Sequence, residues 1–114
     1  MNETTVVNIR SIDKVDSRNV YIGREGSKER RLMHFGNPFC HIPSSKASVL
    51  VQDRETAVNE FREWIIGRAW PLVEPERRQW ILRNLEMLRG KRLVCHCKPK
   101  LCHGDVYLEL LHQV

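Results

Sequence analysis

Arg92-Leu93-Val94 runs straight into Cys95-His96-Cys97-Lys98-Pro99-Lys100-Leu101-Cys102-His103-Gly104-Asp105, after which Val106, Tyr107, Leu110, Leu111 and Val114 recur at helical spacing. A short apolar strand that passes through a loop into an amphipathic helix is the unit from which α/β folds are built, so this stretch constrains the chain more than any other. Cysteine, histidine and carboxylate side chains crowd the strand-to-helix loop. In open α/β sheets that edge is where ligands bind.

The remaining elements agree with such a fold. Val6-Val7-Asn8-Ile9 is a β-branched run ending at Arg10, and Val20-Tyr21-Ile22 repeats it, ending at Gly23-Arg24. The polar stretches 11–19 and 25–31 read as loops, with Lys28-Glu29-Arg30-Arg31 a surface turn. In Gly36-Asn37-Pro38-Phe39, proline fixes its own φ and biases Asn37 away from helix, which predicts a shaped turn with Phe39 packed beneath it. Ala47 to Val51 reads as a strand or an extended segment. Asp53 offers a capping oxygen, and Ala57, Val58, Phe61, Trp64, Ile65 and Ala69 define a helix over 54–69 that Pro71 stops. Pro75 opens and Gly90 closes a second helix over 75–89, striped by Trp80, Ile81, Leu85 and Leu88. The element order predicts one small Rossmann-like α/β domain over 1–114, its partly parallel sheet flanked by helices.

At 114 residues the chain can bury a modest core without needing disulfides or metal. No apolar run near the amino end is long enough for a signal peptide or membrane span, which predicts a cytoplasmic protein without membrane association. In that compartment the four cysteines are expected to be reduced thiols. The formal charge of +5 favours acidic partners, because a positive field concentrates anions. Trp64, Trp70 and Trp80 among arginines invite a base-stacking reading, yet Trp64 and Trp80 fall on the apolar stripes, where core packing is the commoner use. Arg62, Arg68, Arg77, Arg78, Arg83 and Arg89, interspersed with glutamates, then decorate the opposite helical faces.

The cluster near the carboxyl end admits several chemistries. Cys95, Cys97, Cys102 and His103 are a ligand set suited to tetrahedral zinc, although CxC departs from the usual CxxC knuckle. Alternatively Cys102, beside the amino terminus of the last helix, gains stabilisation as a thiolate, with His103 or His96 as base and Asp105 orienting an imidazole or capping the helix. A purely structural role suits Cys95 and Asp105 but leaves Cys97, Cys102, His103 and Gly104 together unexplained. The same helix start, with Gly104 permitting close backbone approach and Lys98 and Lys100 before it, suits a phosphate. Arg10, Tyr21, Arg24 and Asn37 lie where they can converge on that edge.

Val-Asn-Ile-Arg near the start, Tyr21-Ile22-Gly23-Arg24, Gly36-Asn37-Pro38-Phe39, Asp53-Arg54-Glu55 and Leu88-Arg89-Gly90-Lys91 leading into CHCxxxxCHGD form a joint pattern. It resembles a domain family of unknown function carried by bacteria and many bacteriophages, over nearly the whole chain. Tyr21, Gly23, Arg24, Gly36, Asn37, Pro38, Phe39, Cys95, Cys97, Cys102, His103, Gly104 and Asp105 occupy its signature positions; at His96 an aromatic residue is more usual in that family. The resemblance implies a compact α/β domain with its signature residues gathered at one site, and brings no reaction with it. The last part of the chain is also similar to a second bacterial family, which has Cys-His at a helix start after a cysteine-bearing strand.

The leading expectation is a domain that binds a nucleotide-type or other phosphorylated ligand at the carboxyl ends of its strands, with thiol chemistry at Cys102. Arg10, Arg24, Lys98 and the helix start would hold the anion, Asn37 would orient the ligand, and Tyr21, Cys97 and Gly104 would line its site. The alternative is a non-enzymatic basic accessory module binding nucleic acid or a host protein, with the Cys/His cluster structural or zinc-binding.

Overall fold

A computed structural model describes residues 3–11, 17–23, 34–43, 47–96 and 100–112. Strands β1 (Thr5–Asn8), β2 (Asn19–Tyr21) and β5 (Arg92–Cys95) form one sheet, in which β5 runs between the other two and parallel to both. Thr5 pairs with Arg92 and Asn8 with Cys95 on one side of β5, while Asn19 to Tyr21 pair with Arg92 to Val94 on the other. Leu93, Val94 and Cys95 are buried, as a central parallel strand requires. Strands β3 (Phe39–Cys40) and β4 (Val49–Leu50) make a second, two-stranded parallel ladder. Helices α1 (Arg54–Ile65), α2 (Pro75–Arg83) and α3 (Gly104–His112) complete a mixed α/β architecture.

The helices close as local chemistry dictates, with shorter limits than the apolar spacing suggests. Asp53 caps α1 by accepting from the Thr56 N–H at 2.7 Å. The helix ends at Ile65 rather than 69, because Gly67 adopts a φ of +86° and the N–H groups of Arg68 and Ala69 fold back to the Glu63 carbonyl. Helix α2 stops at Arg83 and the chain tightens into a 3-10 turn over Leu85–Leu88. There the Asn84 side chain donates to the Trp80 carbonyl at 2.8 Å and competes with further helix. Gly90, at φ +76°, closes the segment as its position predicts. The first strand likewise ends one residue early, at Asn8, with Ile9–Ser11 coiled into a 3-10 turn.

Phe39, Phe61, Trp64, Ile81, Leu88, Leu93, Val106 and Tyr107 are fully buried in one apolar cluster that joins the sheet to all three helices. Trp64 and Trp80 pack into or against that cluster, in keeping with their stripes, whereas Trp70 is partly exposed and turns its ring edge to Phe39. On the outer side Arg62 clamps Glu109 through two bonds of 2.9 and 2.8 Å, tying α1 to α3.

Arg77 corrects one expectation outright. Instead of decorating a solvated face it is 1 % exposed. Its Nη1 donates to the Gly36 carbonyl at 2.6 Å and the His34 carbonyl at 3.1 Å, its Nε donates to Glu74, and its guanidinium lies 5.5 Å from the Trp64 ring centre. Glu74 also accepts from Ser48 at 2.6 Å, so one pair of charges fastens α2 to the 34–36 segment and to the start of β4. These bonds hold Glu74 at φ 37°, a backbone region side chains seldom visit.

Burial works against ionisation of Glu74, but the bonds from Arg77 and Ser48 outweigh it and bring the carboxyl below its ordinary 4.5. A carboxyl depressed in the folded state stabilises the fold above its unfolded value and loses that contribution as pH falls through the folded one. Glu74→Gln should therefore be less stable than the parent at neutral pH, with the gap narrowing below 4.5. Urea unfolding at stepped pH measures this; a gap that stays constant through the acid range rules it out.

Candidate functional site

Residues 34–40 are buried without interruption, which explains why the Gly-Asn-Pro-Phe turn carries so little ordinary loop character. Asn37 shapes it: its Oδ1 accepts from the Phe39 N–H at 2.9 Å and its Nδ2 donates to the Ala57 carbonyl at 3.1 Å. The amide fixes β3 against α1 while Asn37 also lines the cavity described below. On the other side β2 ends at Tyr21, and the Ile22 N–H continues the ladder to the Val94 carbonyl. The Tyr21 ring then lies over Gly23, taking the space that a Cβ there would need.

Between these two walls, at the carboxyl ends of β2 and β5, opens a cavity of about 350 Å³. Tyr21, Gly23, Asn37, Phe39, Cys40, His41, Ile42, Arg54, Ala57, Val58, Cys95, His96, Leu101, Cys102 and His103 line it. Aspartate and glutamate are absent from this lining among the described residues, and Arg54 is its one permanent cation there. The volume is at the lower end of the range for small-molecule sites. At its mouth the exposed His96 ring stands edge-on to Tyr21, with Nε2 at 2.9 Å from the Tyr21 hydroxyl.

Cys102 and His103 form the buried floor. His103 Nε2 lies 2.8 Å from the Ile22 carbonyl and 3.0 Å from the Phe35 carbonyl. Its Nδ1 faces Cys102 Sγ at 3.7 Å, and the Gly104 N–H donates to the same sulfur at 3.4 Å. Phe61 and Tyr107 pack against the imidazole in edge arrangements, with ring centres 5.2 and 5.7 Å away. Tyr107 donates to the Phe35 carbonyl as well, and complete burial holds its hydroxyl protonated well above the ordinary range.

Asp105 accepts from the Cys102 N–H at 3.2 Å. This bond is the helix-start role expected of it, since an acid in the first turn satisfies a donor the helix leaves open. Gly104 is not among the cavity-lining residues. A Cβ there would sit 2.9 Å from Ile22 Cδ1 and 3.0 Å from both Val6 methyl carbons, so the glycine permits close helix-to-sheet packing instead of close approach by an anion. Arg10 is exposed on the turn after β1 and does not line the cavity. Arg24, Cys97 and Lys98 lie outside the described residues. Among the described residues no group of three or more His, Cys, Asp or Glu side chains is gathered to hold a metal.

Sequence reasoning missed Cys40, His41, Arg54, Leu101 and the place of His96. The signal for Arg54 was present, because a cation at the first position of a helix after a capping aspartate can face the same edge as the sheet. Cys40 and His41 carried none, since a two-residue strand has no periodicity to read.

No helix among the described residues is long and apolar enough to cross a membrane. No solved structure matches the chain. It is similar, at 36 % identity over 61 residues, to an uncharacterized 12.4 kDa protein in the nrdA-td intergenic region of Enterobacteria phage T4. That alignment covers 54 % of this chain and 51 % of the phage protein, so the chain spans about half the length of the curated relative it matches. The family model described as Domain of unknown function (DUF4326) matches residues 7–113, and the chain belongs to that family.

Proposed function

We propose that this domain binds a small phosphorylated ligand of nucleotide type in the cavity at the carboxyl ends of β2 and β5, the position that Rossmann-like sheets use. The observation that carries the reading is the lining itself: Arg54, His41, His96 and the Tyr21 hydroxyl supply positive charge and hydrogen-bond donors, and no described lining residue is acidic. Arg54 binds the anion and the Tyr21–His96 pair flanks it, while Phe39, Ile42, Val58 and Leu101 accept the apolar or planar remainder. A reducing cytoplasm, that of the host where the protein is phage-encoded, keeps the thiols of the cavity free to act.

Binding along an exposed basic surface is less well supported. Arg62, Arg68 and Arg89, which a phosphate track would use, are paired with Glu109, Glu63 and Glu86.

Titration calorimetry with nucleotides, nucleosides and sugar phosphates tests the proposal. At least one phosphorylated compound should bind below millimolar concentration, and Arg54→Ala should weaken it by about tenfold, the worth of one hydrogen bond to a charged group. A panel that shows no heat of binding at millimolar concentration, or binding indifferent to Arg54, overturns it.

A further inference from the structure

Cys102 and His103 are adjacent in sequence, yet their relation is set by residues far away. Both partners of His103 Nε2, the carbonyls of Ile22 and Phe35, are acceptors only, so that nitrogen carries the proton. In the neutral ring Nδ1 is then an acceptor, and what it faces is the Cys102 sulfur. The Gly104 N–H, in the first turn of a nine-residue helix, points at the same sulfur and favours its charged form. A base of fixed tautomer, an orienting pair of carbonyls and a donor to the sulfur are the parts of an activated nucleophile.

The geometry points to Cys102 as a nucleophile, with His103 as its general base, for an electrophilic carbon of the ligand held in the cavity; the identity of that ligand rests on the preceding proposal. The thiol proton passes from Sγ to Nδ1, and the sulfur electron pair forms an S–C bond. The leaving group departs with the electrons of its own bond to that carbon and takes the proton back from Nδ1. The two carbonyls at Nε2–H offset the cost of charging a buried imidazole between those transfers. Asp105 fixes the Cys102 backbone and acts as a positioning residue only.

Cys40, Cys95 and Cys102 are all buried and all line the same cavity, with Cys102 the least exposed of the three, so a small reagent that enters it meets all of them and access gives Cys102 no advantage. This supplies an internal comparison. The folded chain is treated with iodoacetamide, quenched at intervals and digested, and the carbamidomethylated fraction at each cysteine is read by mass spectrometry. In the reagent reaction the S–C bond forms as iodide leaves and the proton moves to His103. Cys102 should react about tenfold faster than Cys40 and Cys95, because the rate follows the thiolate fraction. His103→Gln should remove that advantage while leaving the Cys40 rate unchanged.

If Cys102 reacts no faster than its two neighbours in the parent protein, the inference falls, whether or not His103→Gln folds. A folded His103→Gln that keeps the parent rate also overturns it. Ligand binding by calorimetry together with a slow Cys102 rejects the nucleophile and spares the pocket; fast alkylation without ligand binding does the reverse.

Discussion

Trp64→Ala should lose about 3–5 kcal/mol of folding stability, the range for emptying a fully buried aromatic site. The side chain is fully buried, its ring stands edge-on or tilted to Phe39 and Phe61, and its Nε1 donates to the Val73 carbonyl at 2.7 Å. Truncation therefore opens a large void, strands a carbonyl of the α1–α2 connection and removes the face on which Arg77 rests. Urea unfolding followed by far-ultraviolet circular dichroism measures the loss. Trp70→Ala is the control, expected near or below about 1 kcal/mol because that ring is partly exposed. Similar values for the two tryptophans would contradict the packing described.

Arg77→Ala should be of comparable severity, about 3–5 kcal/mol, since removing one member of a buried ion pair leaves the other groups without compensation. Glu74 loses its cation, and the carbonyls of His34 and Gly36 lose a charged donor. Arg77→Met, which keeps most of the volume, should recover part of the stability but not the hold on residues 34–36. Because Arg77 and Trp64 touch, the double alanine variant should lose less than the two single losses combined. Additivity within experimental error would mean that the two residues act separately.

The strands, the capping aspartate and the apolar stripes were legible because each leaves a local trace: β-branched runs at Val6-Val7 and Leu93-Val94, an Asx residue before a periodic segment, and apolar spacing on α1. Arg77 left none. Its position on α2 has the composition of a solvated face, and only the arrival of the 34–36 carbonyls, more than forty residues away in the chain, turns it inward. The cavity was half legible for the same reason. Tyr21, Asn37, Cys95, Cys102 and His103 stand out as residue types, but which of them line space and which fix backbone depends on long-range bonds. Gly104 is permissive by type and serves helix-to-sheet packing here, Asn37 both fixes backbone and lines the cavity, and Arg54 and His41, unremarkable by type, line the same wall.

The placement of β5 between β1 and β2 governs the order in which this chain acquires structure. Neither of the early strands pairs with the other, so each has to wait for a segment made after both before its backbone groups find partners. On the ribosome β1 and β2 emerge with their β-branched stretches unsatisfied, and the closing contact, Thr5 with Arg92, bridges more than eighty residues. Such distant pairing is slow to form and leaves adhesive segments uncovered meanwhile. The cavity between β2 and β5 accordingly comes into being only once Arg92–Cys95 has docked between the two earlier strands.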